Sequence, residues 1–254
     1  MTAAAPICRI MIRTLIRPSR PEHMSRAALS PAPDLLAGLI TEACDRRMEQ
    51  DFARRWGGPV AGVDEVGRGP LAGPVVTAAV ILTDAPLPDG LTDSKQLKPG
   101  VREQMFEAIC RDHIVAVASA SAARIDAMNI LAANLWAMDR AVRSLAERPV
   151  GVLVDGRDIP SALTGAGYRG AAIVKGDARV AAIAAASIVA KVMRDRMMEL
   201  HAAEFPGYGF ETNVGYGSAR HLKALAELGP TPIHRRSFRP VRECIEARAG
   251  GQRP

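Results

Sequence analysis

The sequence predicts an α/β protein, with strands and helices alternating along most of the chain. Three observations predict it. Short apolar runs of strand length recur at 60–63, 75–82, 114–120, 150–154 and 171–174. Patterns of helical period stand between and after them, chiefly over 34–56, 99–112, 125–145 and 178–200. Two apolar runs end on acids, Asp64-Glu65 and Asp155.

At 254 residues the chain can bury one substantial core and carry a small appended domain. Its composition, 48% hydrophobic and 24% charged, is that of a soluble globular protein. No stretch approaches the ~18 uninterrupted apolar residues of a transmembrane helix. The formal charge of +6 sits at the two ends. Residues 1–33 hold five arginines against Glu22, and residues 231–254 hold six arginines against two glutamates, +4 each, so the middle is −2. The centre is not basic, and bulk charge argues only weakly for a polyanionic partner. Cys8, Cys44, Cys110 and Cys244 have neither metal-type spacing nor the density of a disulfide framework. Reduced thiols and a cytoplasmic location are expected.

Residues 1–33 show no periodicity, and Arg9 and Arg13 interrupt any secretory apolar region. They read as a disordered extension or as an over-called start preceding Met24, although their arginine-rich composition also superficially resembles a transit peptide. Asp34 opens a helix with Leu35, Leu36, Leu39, Ile40, Ala43 and Phe52 on one side, closed by Gly57-Gly58-Pro59. A strand, a tight turn and a second strand follow over 60–82. In a regular strand neighbouring side chains point to opposite faces, so Asp64 and Glu65 cannot share one site unless the backbone bends there. Gly67 and Gly69 make a bend possible and let the backbone approach a ligand closely. Asp93 or Ser94 is placed to cap the helix at 99–112, while Lys95 is placed to meet a phosphate.

The 125–145 helix presents Ile125, Met128, Leu131, Leu135, Met138, Val142 and Leu145 on its apolar side. An Asp at the carboxyl end of a buried strand suits a site, but Asp155-Gly156 is also a common turn pair. Asp177 stands where the 178–200 helix begins, as an N-cap or as a ligand. Ser187 and Lys191, four apart, lie on one face of that helix. After Pro206, Gly207, Gly209, Gly215 and Gly217 interleave with Tyr208, Phe210 and Tyr216. A short helix over 219–228 ends at Gly229-Pro230, and Thr231 to Phe238 follows, holding His234-Arg235-Arg236. Aromatic residues beside basic ones suit sugars and bases. This stretch reads as a small helical appendage with glycine-rich loops.

Five separated segments resemble ribonuclease HII, the type 2 ribonuclease H family. They are Asp64-Glu65-Val66-Gly67-Arg68-Gly69-Pro70-Leu71-Ala72-Gly73-Pro74; Asp93-Ser94-Lys95; Val152-Leu153-Val154-Asp155-Gly156; Lys175-Gly176-Asp177 with the helix through Ser187, Lys191 and Arg194-Asp195; and Gly215-Tyr216-Gly217 through Phe238. They occur in family order over about residues 50–240. Val214 departs from the family, which often has a lysine there.

The resemblance implies a ribonuclease H-like mixed sheet flanked by helices, with catalytic domain 34–204, substrate-binding appendage 205–242 and tail 243–254. It implies an endoribonuclease that hydrolyses the RNA strand of RNA–DNA hybrids and cuts 5′ of ribonucleotides embedded in duplex DNA, leaving 3′-hydroxyl and 5′-phosphate ends. Asp64, Glu65, Asp155 and Asp177 would be the catalytic acids and the ligands of two Mg²⁺ or Mn²⁺ ions. Such chemistry suits all-oxygen ligands, and no His-Cys set for zinc or Gly-x-x-x-x-Gly-Lys loop competes with it. The Gly67-Arg68-Gly69 backbone would read the ribose 2′-hydroxyl, and Tyr216 would pack on the next sugar. Arg68, Lys95, Ser187, Lys191, His234 and Arg235 would be phosphate or supporting contacts. No membrane and no obligate protein partner is implied. A hybrid-binding protein without catalysis would be expected to lack an acid, and all four are present. A phosphatase of small substrates would not need the glycine-aromatic appendage.

Overall fold

The computed structural model describes residues 44–91, 94 and 97–251. The expected extension 1–33, the start of the expected 34–56 helix, Asp93 and Lys95 lie outside the described residues. The strands are β1 (Val60–Val66), β2 (Val75–Ile81), β3 (Ile114–Ala120), β4 (Gly151–Asp155) and β5 (Arg169–Ile173), in the order β3-β2-β1-β4-β5. β1, β2 and β3 are antiparallel neighbours, while β1, β4 and β5 run parallel, so the sheet is mixed. Among the described residues the helices are α1 (Arg47–Trp56), α2 (Pro99–Asp112), α3 (Ala122–Met128), α4 (Ile130–Arg143), α5 (Ser161–Gly165), α6 (Ala181–Glu204), α7 (Phe210–Asn213), α8 (Ala219–Leu228) and α9 (Arg239–Ala249).

The central strands are buried on both faces, which is why they read as continuous apolar runs. Alternation still sorts their side chains. Ala61 and Val63 of β1 join Val152 and Val154 of β4 and Met138, Ala141 and Val142 of α4. Val60 and Leu153 turn the other way, onto Ile183 of α6. α6 opens Ala-Ala-Ile-Ala-Ala-Ala-Ser, and these small side chains let its backbone lie close on β1. Gly62 completes the fit, since a Cβ there would collide with the Ala182 backbone.

Asp177, expected at or near the N-terminus of this helix as its cap or as a ligand, is near it but does not cap it. It falls in a 3-10 turn, Gly176–Ala178, and the N-cap is Val180, which offers no side-chain acceptor. The cap comes from another element. Glu49 of α1, 4% exposed, accepts the Ala182 N–H at 2.9 Å and is held by Arg46 at 3.0 Å. A carboxylate there satisfies an orphan donor and meets the positive end of the helix dipole.

The helix expected over 125–145 is two helices. Asn129, at φ 68°, breaks it, and its side chain caps α4 by accepting the Ala132 N–H at 3.0 Å. The tail expected from 243 is helical to Ala249, and Val241 and Cys244 pack on Leu71 and Leu225. The segment after the glycine-rich turn is thereby enclosed. Leu71 N–H donates to Gly215 O at 2.8 Å, Gly73 N–H to Ile233 O at 2.9 Å, and Arg235 N–H to Leu71 O at 2.8 Å. Ala72 and His234 form an antiparallel bridge.

Candidate active site

The question left by the Asp64-Glu65 pair has a clear answer. β1 stays regular through both acids, Asp64 opposite Ala78 and Glu65 opposite Thr77, and the bend comes only at Gly67, φ 92°. The carboxylates therefore leave opposite faces at the end of the strand. Asp64 turns to α6, where the Ser187 hydroxyl donates to it; Glu65 turns to α4, where Asn134 donates to it. Asp155 ends β4 one residue after the Val63–Val154 pair, which puts it beside Asp64. Its carboxylate accepts the Gly176 N–H at 2.7 Å, next to Asp177, whose own carbonyl accepts the Cys44 thiol at 3.2 Å.

The three strand-end acids are nevertheless close enough for their charges to act on one another. The expectation that a regular strand keeps Asp64 and Glu65 out of one site therefore fails at the strand end, where both side chains reach past the sheet; Asp177 is on the adjoining turn. Asp64 is 4% exposed, and burial pushes its carboxyl well above the usual range; the Glu65 and Asp155 charges push the same way, against the bonds from Ser187 and the Glu65 N–H. Burial also raises Glu65, opposed by Arg68 and Asn134, with Asp155 adding to the rise. Such mutual repulsion is what a bound cation relieves. Among the described residues no group of three or more acid, histidine or cysteine side chains is arranged to hold a metal ion. The donors nevertheless fit a hard divalent cation, being oxygens throughout, and Asn134 Oδ1 beside Glu65 is buried without a protein partner. Glu65, Arg68, Asn134, Asp155, Arg157 and Asp158 share one cleft.

The glycine-rich turn is held by two buried arginines. Arg235 donates to the carbonyls of Gly73 at 3.0 Å, Arg68 at 2.8 Å and Gly67 at 2.5 Å. Arg194 donates to Pro74 O at 3.0 Å, Val214 O at 2.9 Å and Ala72 O at 3.3 Å. At 0% and 1% exposure neither reaches solvent. Of the two roles the sequence leaves open for Arg235 and His234, phosphate contact or supporting contact, their burial suits the second. His234, 1% exposed, bonds to Thr231 and His221 and faces inward.

Tyr216 is 49% exposed, with its ring edge 3.5 Å from where a Cβ of Gly69 would stand. Arg68 is exposed and 3.4 Å from Glu65. Ser94 does not cap α2, whose N-cap is Lys98; it is buried and bonds Ser187 at 2.9 Å. Lys191 pairs with Asp195 at 2.6 Å one turn beyond Ser187.

Asn134 and Arg194 had no assigned role from the sequence, although each leaves a trace there. Asn134 shares the buried side of α4 with Ala137, Met138 and Ala141, and Arg194 lies between Ala190 and Met198 on the buried side of α6. A polar residue on an apolar stripe calls for a buried partner.

The sequence model of the ribonuclease HII family matches residues 61–241. A ribonuclease HII of Rhodopseudomonas palustris (strain BisA53) is 48% identical over 237 residues, 93% of this chain and 84% of that protein. The crystal structure of ribonuclease H2 from Pyrococcus horikoshii OT3 superposes with a TM-score of 0.65 at 32% identity, covering 74% of this chain and 97% of the other. Bst-RNase HIII in complex with Mn²⁺ has the same fold, with a TM-score of 0.59 at 18% identity over 87% of this chain and 76% of that one. The chain belongs to the ribonuclease HII family and is a ribonuclease H hydrolase.

Proposed function

We propose that this enzyme hydrolyses the RNA strand of RNA–DNA hybrids and cuts duplex DNA on the 5′ side of an embedded ribonucleotide, leaving 3′-hydroxyl and 5′-phosphate ends. The observation that carries the reading is the position of Gly67–Gly69 between the Asp64–Glu65 strand end and the exposed ring of Tyr216. A backbone held at glycine can approach a sugar closely enough to bond its 2′-hydroxyl, the group that separates RNA from DNA. The Tyr216 ring packs on the following sugar and favours one without that hydroxyl. Together they select an RNA–DNA junction. Arg68 and, one turn past Ser187, Lys191 would meet phosphates in this reading, each exchanging its ion pair with Glu65 or Asp195.

Asp64, Glu65, Asp155 and Asp177 would hold two Mg²⁺ or Mn²⁺ ions, whose chemistry is to activate water and stabilise the leaving oxygen. Asp64 is oriented by Ser187, itself bonded by Ser94; Glu65 is oriented by Asn134. Residues 34–204 form the catalytic domain in this reading, and 205–242 the substrate-binding appendage. The partners are hybrid and ribonucleotide-containing duplex, met in the cytoplasm. Among the described residues no helix is long and apolar enough to cross a membrane.

Four labelled substrates test the reading with and without Mg²⁺: a continuous hybrid, duplex DNA with one ribonucleotide, all-DNA duplex, and a simple phosphate ester. Metal-dependent cleavage of the first two alone, with the single cut 5′ of the ribonucleotide, is expected. An intact single-ribonucleotide duplex refutes the junction reading, and hydrolysis of the ester refutes the substrate class.

A further inference from the structure

We propose that His221 and His234 are positioning residues that fix Tyr216 against the Gly67–Arg68–Gly69 turn. This rests on the junction reading above for its effect on cleavage, though not for its geometry. His221 and His234 are 0% and 1% exposed, boxed by the Tyr208 and Phe210 rings. Neither reaches substrate, so any role in the reaction passes through other groups.

The hydrogen bonds between them allow one direction. The Thr231 N–H lies 2.9 Å from His234 Nδ1 and can only donate, so Nδ1 accepts. The proton of neutral His234 is then on Nε2. That atom lies 3.0 Å from His221 Nε2, which must accept. The proton of His221 is consequently on Nδ1, 2.9 Å from the carbonyl oxygen of Tyr216. The relay therefore runs from Thr231 through both rings and ends on the backbone of Tyr216. Every member is satisfied, and a fully bonded buried network specifies one arrangement.

The ring of Tyr216 is half in solvent, so its place depends on its backbone. Asn213 holds the other side, accepting the Tyr216 N–H at 2.8 Å through its carbonyl and the Gly215 N–H at 2.8 Å through its side chain. The relay also meets the second reader. His234 is bridged to Ala72, and the next residue, Arg235, donates to the carbonyls of Gly67 and Arg68. One dipeptide thus ties the turn that meets the ribose to the ring that meets the next sugar.

The test compares His221→Phe, which keeps the ring volume and removes both polar contacts, with His221→Asn, whose amide can still donate to Tyr216 O. Hydrogen exchange of the 214–217 amides and cleavage of 5′-labelled duplex DNA with one ribonucleotide are measured at a temperature where melts show each variant folded. His221→Phe is expected to speed exchange at 214–217 and to slow cleavage about tenfold, as the Tyr216 carbonyl loses its donor. His221→Asn is expected to recover most of both. In a Tyr216→Ala background, His221→Phe is expected to cost nothing further, since both changes act through one ring. Unchanged exchange in His221→Phe, or losses that multiply in the double variant, overturn the proposal. Should His221→Phe not fold, His234→Asn cuts the relay at its other end and is held to the same outcomes. If Tyr216→Ala cuts both substrates at the wild-type rate while His221→Phe still loosens 214–217, the positioning stands and the sugar-contact reading of Tyr216 falls.

Discussion

Acid should loosen the appendage through His234, and the size of the effect follows from its burial. Burial, with His221 close by, lowers His234 from an ordinary 6.5 to about 4. The ring is neutral in the folded protein and protonated in the unfolded chain between those values. The unfolded state therefore binds more protons there, and stability falls as pH drops. The contribution is whole above pH 6.5 and is lost progressively toward pH 4. At ~1.36 kcal/mol per pH unit, that interval amounts to about 3 kcal/mol. For a domain of this size the melting temperature should fall by roughly 6–12 °C from this ring alone. His221, lowered mainly by burial, adds in the same direction. Thermal melts at pH 7.5, 6.5, 5.5 and 4.5 on wild type and His234→Asn isolate the effect. The variant should start lower and lose less on acidification. Parallel curves for the two proteins would refute the assignment of a buried neutral His234.

Three other changes have distinct signatures. Asp64→Asn should cut hydrolysis by at least about 10³-fold while leaving the melting temperature equal or higher, because it removes a carboxylate that burial and two neighbouring acids disfavour; near-normal turnover in Mg²⁺ excludes Asp64 as a ligand. Glu49→Ala should cost about 2–3 kcal/mol in urea unfolding by stranding the Ala182 N–H and removing the carboxylate at the helix N-terminus, with Glu49→Gln costing less. Gly62→Ala should destabilise by about 2–3 kcal/mol, since its methyl meets the α6 backbone rather than a movable side chain; a neutral result would mean α6 can move off β1 at little cost.

Periodicity and punctuation locate many of the elements. The 99–112 helix, the 114–120 strand and the 219–228 helix stand at the residues read from periodicity and punctuation, because short-range pattern is local information. Asp64-Glu65 and Asp155 stand out in the sequence for the same reason, since each ends an apolar run, whereas Asp177 does not. The separation of Asp64 and Glu65 to opposite faces also followed from strand alternation once the strand was known to stay regular. Where distant residues meet is a matter of packing that local pattern does not carry. Glu49 caps a helix that begins 132 residues later, in the place given to Asp177. Asn129 splits a continuous apolar stripe because its positive φ breaks the helix while its side chain caps the next one, and periodicity registers neither. For His234 and Arg235 the sequence leaves open a phosphate contact or a supporting one, because basic residues near aromatics can serve as either. Their burial depends on carbonyl groups of residues 67–73 and on His221, partners brought together only when β1, α6 and the appendage close around one turn. Composition reports charge; which charges face the substrate is set by which backbone groups were left without another donor.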